Sequence, residues 1–275
     1  MKNKLGGYFL LALLLAACAN ADDRIAKVSA RFLGAPYVES PLGEGDKASA
    51  PRASKGQRYR LDAFDCVSYI ETVVALAMTN SDEDFRAEMD KIRYKDGVVS
   101  FESRNHFTSV DWIPNNSRLF FDATEKVSIC SLLGPAKVIT TKIDRQKWFE
   151  KMHGVKAPIP VAESRLPYVP LDALLAHREI VIRAVEAPMV ANIVVKYPRP
   201  SASLGTDNDI AHMGFLLPAK NGLVFRHASK RAERVVDRDF FKYLESLKSR
   251  PEIIGVNFLG IREWPQDGGV QGKSF

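Results

Sequence analysis

Apolar residues recur at Val67, Ile70, Val74 and Ala77, so the stretch 60–77 must bury one face of a helix. Asp62 and Asp65 stand just ahead of it, where acidic side chains suit a helix N-terminus. Cys66 therefore falls in the first turn. Unpaired N–H groups and the positive end of the helix dipole there favour a thiolate over a thiol. A cysteine so placed, met by a histidine from elsewhere in the chain, is the arrangement of a nucleophilic enzyme. The alternative is a small packed core residue, as most lone cysteines are.

The N-terminus carries an export signal. Lys2 and Lys4 precede an apolar run over 8–17 that is too short to span a bilayer. The run closes on Leu15-Ala16-Ala17-Cys18, the pattern after which lipoprotein signal peptidase cuts to leave an acylated cysteine. Ala19-Asn20-Ala21 offers an ordinary cleavage site instead. Residues 1–17 are thus read as a signal peptide and Cys18 as the lipidation site. The mature chain is then periplasmic and held at the outer membrane by its lipid. Losing those residues removes two lysines and no acids, taking the formal charge from +6 to +4. That excess suits carboxylate-rich wall peptides, and suits an ordinary soluble domain nearly as well. There is no internal repeat, no second apolar run of membrane length and no zinc-type spacing of Cys and His. Cys66 and Cys130 remain in a compartment that permits disulfides, so a bridge between them competes with a reactive thiol.

Along the chain, helices are expected over 23–32, 82–91, 144–153 (ended by Gly154) and 171–177. Segment 39–57, rich in Gly, Pro, Ser and Ala, reads as a loop, and Asp96-Gly97 as a hairpin turn between strands. Residues 127–143 read as strands, as do 180–185 and 191–195, and prolines punctuate a long connection from Pro158 to Pro170. The stretch 103–116 is dense in polar side chains without a clean apolar period. It reads equally as a binding loop or as a solvated loop capping its own turns.

Two strands carry histidines. In 209–217 His212 shares a side with Ile210 and Gly214, and 223–227 ends in His227. A four-residue turn over 218–221 would place His212 directly opposite His227, with Cβ atoms about 4.5–5.5 Å apart. A five-residue turn would break that register.

Gly34-Ala35-Pro36-Tyr37, Phe64-Asp65-Cys66, Ala211-His212-Met213-Gly214-Phe215 and Phe225-Arg226-His227-Ala228-Ser229 together resemble the papain-like, NlpC-type bacterial cell-wall cysteine peptidases. Ser103-Arg104-Asn105-His106-Phe107 and Asp111-Trp112-Ile113 are similar to one branch, the N-acetylmuramoyl-L-alanine amidase-like family. The chain lacks the usual Gly after Asp-Cys-Ser, has Ala191-Asn192 for a common Gly-Asp, and carries Met213 where Val is usual. The resemblance implies an α+β fold in which residues 18–275 form one papain-like domain, with a large insertion between the Cys and His motifs. It implies a Cys66, His212, His227 triad, with Tyr37 as a second oxyanion donor. Substrate-binding roles follow for Asp65, Ser103, Arg104, His106, Asp111 and Trp112, while Arg226 is a weaker candidate on the opposite strand face. The expected partners are peptidoglycan fragments and the membrane through the lipid anchor. Nucleic acid, cofactor and metal are not expected, and the chain is expected to be a monomer. Two bonds fit: the lactyl amide between N-acetylmuramic acid and L-Ala, and the γ-D-Glu–diaminopimelate amide. The charges of Arg104, His106 and Asp111, with few aromatics beside them, lean toward the second. The other reading is an envelope lipoprotein that binds stem peptides without cutting them.

Overall fold

A computed structural model of the chain describes residues 24–45, 56–154, 156, 159–197 and 204–264. The leader and Cys18 lie outside these residues. The elements begin with helices α1 (24–30), α2 (Cys66–Met78), α3 (Asp82–Arg93) and the short α4 (Ile113–Asn115). Next come β1 (Phe120–Asp122), α5 (Thr124–Cys130), β2 (Lys137–Ile143), α6 (Arg145–His153) and β3 (Ala162–Pro170). Then follow α7 (Leu171–Ala176), α8 (Arg178–Ala184), β4 (Met189–Val195), β5 (Ile210–Ala219) and β6 (Gly222–Ser229). The last are β7 (Arg234–Asp239), α9 (Phe240–Glu245) and β8 (Ile253–Ile261).

The strands form one antiparallel sheet in the order β2-β3-β8-β4-β5-β6-β7, with β1 pairing the far end of β8. The fold is α+β. β4 is buried at every position because helices cover both faces. On one face Ile25 of α1 and Tyr69, Ile70 and Val73 of α2 pack with Met213, Phe215, Leu217 and Ala228. On the other, Leu174, Val181, Phe240 and Leu244 pack with Leu216, Phe225, Val256 and Phe258. The stripe read over 67–77 is thus the seam between α2 and the sheet.

Several expectations change. No hairpin forms at Asp96-Gly97: Phe85, Met89 and Ile92 continue one helical stripe, so α3 runs on to Arg93 and a 3-10 turn follows over Lys95–Gly97. Residues 127–130 belong to helix α5, not a strand, so only β2 remains of that reading. The run 180–185 is mostly helix α8. A short apolar run is ambiguous between the two states, and here Val181 faces the core while Arg183 faces out. The proline-rich connection contains β3, whose Pro167 pairs with Val138 near the sheet's edge. The turn between β5 and β6 is two residues, Lys220 and Asn221, because Ala219 pairs with Gly222. Gly222 has a φ of 151°, a value side-chain-bearing residues rarely adopt.

Candidate active site

Two sequence-local devices fix the start of α2. Asp65 is the N-cap: its carboxylate accepts from the Ser68 N–H at 2.8 Å, and the Asp65 N–H donates to Ser68 Oγ at 2.9 Å. Tyr69 N–H bonds the Asp65 carbonyl. The N–H groups of Cys66 and Val67 are left on the sulfur side, and the Met213 N–H of β5 joins them there. Ahead of the cap, Tyr37 bridges Phe64 in parallel fashion, which brings its ring to the helix start.

The histidines are positioned by the hairpin and a bulge. The β4–β5 register shifts by one residue between Ile193↔His212 and Val194↔Ile210, leaving Ala211 extra. Such a bulge re-aims the neighbouring side chain. The two-residue turn sets Phe215 opposite Arg226, so the same register sets Gly214 opposite His227. His212 and His227 are therefore diagonal neighbours on one face, not direct partners, and His212 Nε2 meets His227 Nδ1 at 2.7 Å. Gly214 makes room for this. A Cβ there would lie 2.6–2.8 Å from the Phe225 ring and His227 Cβ. Phe225 stacks on His227 at 4.7 Å, and Tyr243 of α9 lies 5.1 Å from it.

Cys66 and His212 stand where two clefts meet. The larger, about 720 Å³, is also lined by Tyr37, His227, Arg231, Arg238, Tyr243 and Arg250. The smaller, about 250 Å³, is lined by His106, Phe107, Trp148 and Met213. Cys66 and Cys130 are both free thiols, so no bridge joins them. The expected thiolate does not hold for the resting site. Burial, helped by the Asp65 carboxylate, pushes the Cys66 thiol up to about 12 against the pull of the surrounding N–H groups. Burial likewise holds His212 down to about 4. His227 is held at about 3 by burial, with the nearby His212 and Arg238 adding to it. The resting pair is a neutral thiol beside a neutral imidazole. Burial, with the nearby Asp65 and Glu39 carboxylates, pushes the Tyr37 hydroxyl up, so it stays a neutral donor.

The stretch 103–116 is a support. Ser103 bonds within its own turn, to Ser100 and Val98. Arg104 Nε donates to the buried Glu44 at 2.6 Å. Asp111 accepts from Arg145 Nη1 at 2.6 Å and from the Phe107 N–H at 3.1 Å. Trp112 is fully buried and donates to Glu71 at 3.1 Å. A π-turn over Thr108–Trp112 results, and of the expected binding residues here only His106 lines a cleft beside Cys66. His106 Nε2 lies 2.7 Å from the Phe101 carbonyl, and burial keeps the ring neutral. Arg226 holds Asp237 bidentately and ties down α1 through Ala26 and Ser29, away from the site. Sequence reasoning missed Trp148, Tyr243 and Arg238. Trp148 alone left a trace, as an aromatic on the predicted helix 144–153.

The model of the N-acetylmuramoyl-L-alanine amidase-like family matches residues 27–252. The chain belongs to that family. A solved protein from Legionella pneumophila is 30% identical, with a TM-score of 0.81 over 89% of this chain and 90% of its own. An N-acetylmuramoyl-L-alanine amidase from Bacteroides uniformis shares the fold at 22% identity and a TM-score of 0.65, over 88% and 99% of the two chains. A Bacteroides fragilis protein provisionally described as a xylanase does so at 20% and 0.64, over 85% and 99%. No curated protein matches the amidase-like chain.

Proposed function

We propose that the protein is a papain-like, NlpC-type cysteine amidase that cuts the lactyl amide between N-acetylmuramic acid and L-Ala of peptidoglycan fragments. The observation that carries this reading is the 2.7 Å contact of His212 and His227 in a cleft that also holds Cys66 at a helix start. With Nε2 of His212 on His227, Nδ1 is the nitrogen left to exchange a proton with sulfur. His212 Nδ1 takes the thiol proton as sulfur attacks the carbonyl carbon. The Cys66 N–H and the Tyr37 hydroxyl hold the oxyanion. His212 returns the proton to the departing L-Ala nitrogen as the C–N bond breaks. It then activates the water that hydrolyses the thioester, releasing the lactyl carboxylate and restoring the thiol. His227 accepts from His212 Nε2–H and holds its tautomer and tilt.

The choice of bond reverses the sequence-based lean. The charges of Arg104 and Asp111 are taken up by Glu44 and Arg145, and His106 is neutral. Trp148 packs on His106 at 4.8 Å and Phe107 at 5.2 Å, which supplies the aromatic wall that a sugar ring favours. The family name and the Bacteroides uniformis enzyme's description point the same way. Muropeptides digested with the mature protein and with Cys66→Ala, then read by mass spectrometry, test the reading. Free disaccharide and intact stem peptide are expected from the first alone. L-Ala-D-Glu release would move the cut to the γ-D-Glu bond, and no product from either would favour a binding protein. Export and a lipid on Cys18 complete the proposal. Cys18→Ala should shift the protein from the membrane-extracted to the soluble fraction, and a mature N-terminus at Asp22 in wild type would refute the anchor.

A further inference from the structure

The two clefts that meet at Cys66 differ in charge. Among the described residues the smaller has no charged lining: Val67, His106, Phe107, Thr108, Trp148 and Met213 are in its walls, and His106 is neutral. The larger is lined by Lys230, Arg231, Arg238 and Arg250 and, among the described residues, by no carboxylate. The acids nearest these cations are already engaged, two of them with Lys230 and Arg250. Glu39 holds Lys230 and Glu252 holds Arg250, each at 2.8 Å. On either side of Arg238, Asp237 is clamped to Arg226 and Asp239 caps α9 by accepting from the Lys242 N–H at 2.8 Å. Arg231 and Arg238 have no carboxylate partner among the described residues. The charge of Arg238 is felt at His227 and Tyr243, so it lies over the same floor as the histidine pair.

We infer that the larger cleft seats the leaving stem peptide, and that Arg231 and Arg238 are specificity-determining cations for its first free carboxylate. This rests on the amidase reading above. In a lactyl-amide substrate the acyl half is a sugar with no free carboxylate, because its lactyl carboxyl is the amide being cut. Every carboxylate sits on the peptide half. The first along the stem is the α-carboxylate of D-Glu, whose γ-carboxyl continues the chain. Arg231 and Arg238 are both exposed along this cleft, where a guanidinium can hold the carboxylate bidentately and salt can screen it. The cleft therefore distinguishes D-Glu from its amidated form, D-isoglutamine, which offers no charge at that position.

Two substrates, in both of which the γ-carboxyl is taken up in the next amide, test this: disaccharide-L-Ala-γ-D-Glu-diaminopimelate and its D-isoglutaminyl counterpart. Wild type should favour the carboxylate by roughly 10- to 100-fold in kcat/KM, mainly through KM, and the preference should shrink with added salt. Arg231→Gln with Arg238→Gln should bring the two substrates to near equality, while Arg238→Lys keeps part of the preference. Equal hydrolysis by wild type, or an undiminished preference in the double variant, would overturn the inference and leave the amidase reading standing. Should wild type cut neither substrate, the amidase reading fails on its own. Calorimetry with free L-Ala-γ-D-Glu-diaminopimelate and its isoglutaminyl counterpart then decides the cleft. Tighter binding of the carboxylate peptide that the double variant loses supports the inference, and equal or absent binding overturns it.

Discussion

Two stretches of this chain are rich in polar side chains of defined geometry, the β5–β6 hairpin and residues 103–116, and they put that polarity to opposite uses. The hairpin turns His212 and His227 toward a cleft with a ring nitrogen still free for chemistry. Residues 103–116 turn Arg104, Asp111 and Trp112 onto Glu44, Arg145 and Glu71, satisfying themselves inside the fold. Hydrogen-bonding capacity in a sequence thus shows that a geometry is being set, not that a ligand is being held. The partner decides which, and the partner is far away in the chain.

The sharpest way to break this contrast is to remove the proposed reacting groups. Cys66→Ala and His212→Ala should each cost on the order of 10⁴-fold or more in kcat, with the melting temperature little changed. A variant retaining a tenth of the activity would remove that residue from the chemistry. His227→Ala should lose roughly 10²- to 10⁴-fold in kcat, and His227→Gln less, since it keeps one hydrogen bond to His212. An unaltered His227→Ala would show that another group orients the base.

The opposite signature belongs to 103–116. Asp111→Ala leaves Arg145 with only the Pro160 carbonyl and the Phe107 N–H without its side-chain acceptor, so about 3 kcal/mol of stability should go in denaturant unfolding. Its kcat should stay within a few-fold of wild type. A collapse of kcat with stability intact would make the stretch part of the chemistry after all.

Titration gives the smallest effects. From a neutral resting pair the proton moves during attack, so acylation should be slower in D₂O, whereas a preformed thiolate–imidazolium pair would show no such slowing. Burial lowers His212 to about 4 and His227 to about 3 in the fold, against an unfolded value of about 6.5. The unfolded chain then binds more protons between those values. Stability is therefore full above about pH 6.5 and falls as the pH drops toward 4. Cys66 works the other way: with its folded value raised to about 12, stability should decline above about pH 9, where the unfolded thiol ionises. Melting curves across pH check both arms, and a flat acid arm would mean that the histidines are solvated.

Much of this arrangement was legible in the sequence because it is local. The cap at Asp65, the stripe behind Cys66, the alternation of β5 and the αL stop at Gly154 each depend on residues a few positions apart. The protonation state was not legible. A helix start argues for a thiolate, but the walls that desolvate Cys66 come from distant segments such as β5 and α9. Tyr243 and Arg238 escaped notice for the same reason, since neither sits in a local pattern and only sheet order brings them to His227. Residues 180–185 misled because a short β-branched run has no period long enough to separate strand from helix.

The two-residue turn at Lys220 and Asn221 has a consequence for how such chains can vary in length. Surface connections commonly absorb insertions, because their ends can splay without disturbing what they join. This one cannot. Strand side chains alternate, so a single added residue carried into the register would swing His227 to the α2 face and bring Arg226 round in its place. An addition of two would restore the face but slide His227 off Gly214, the one site on β5 with room for it. Among relatives that share this chemistry, the tip of this hairpin should be the exposed loop whose residues change while its length does not.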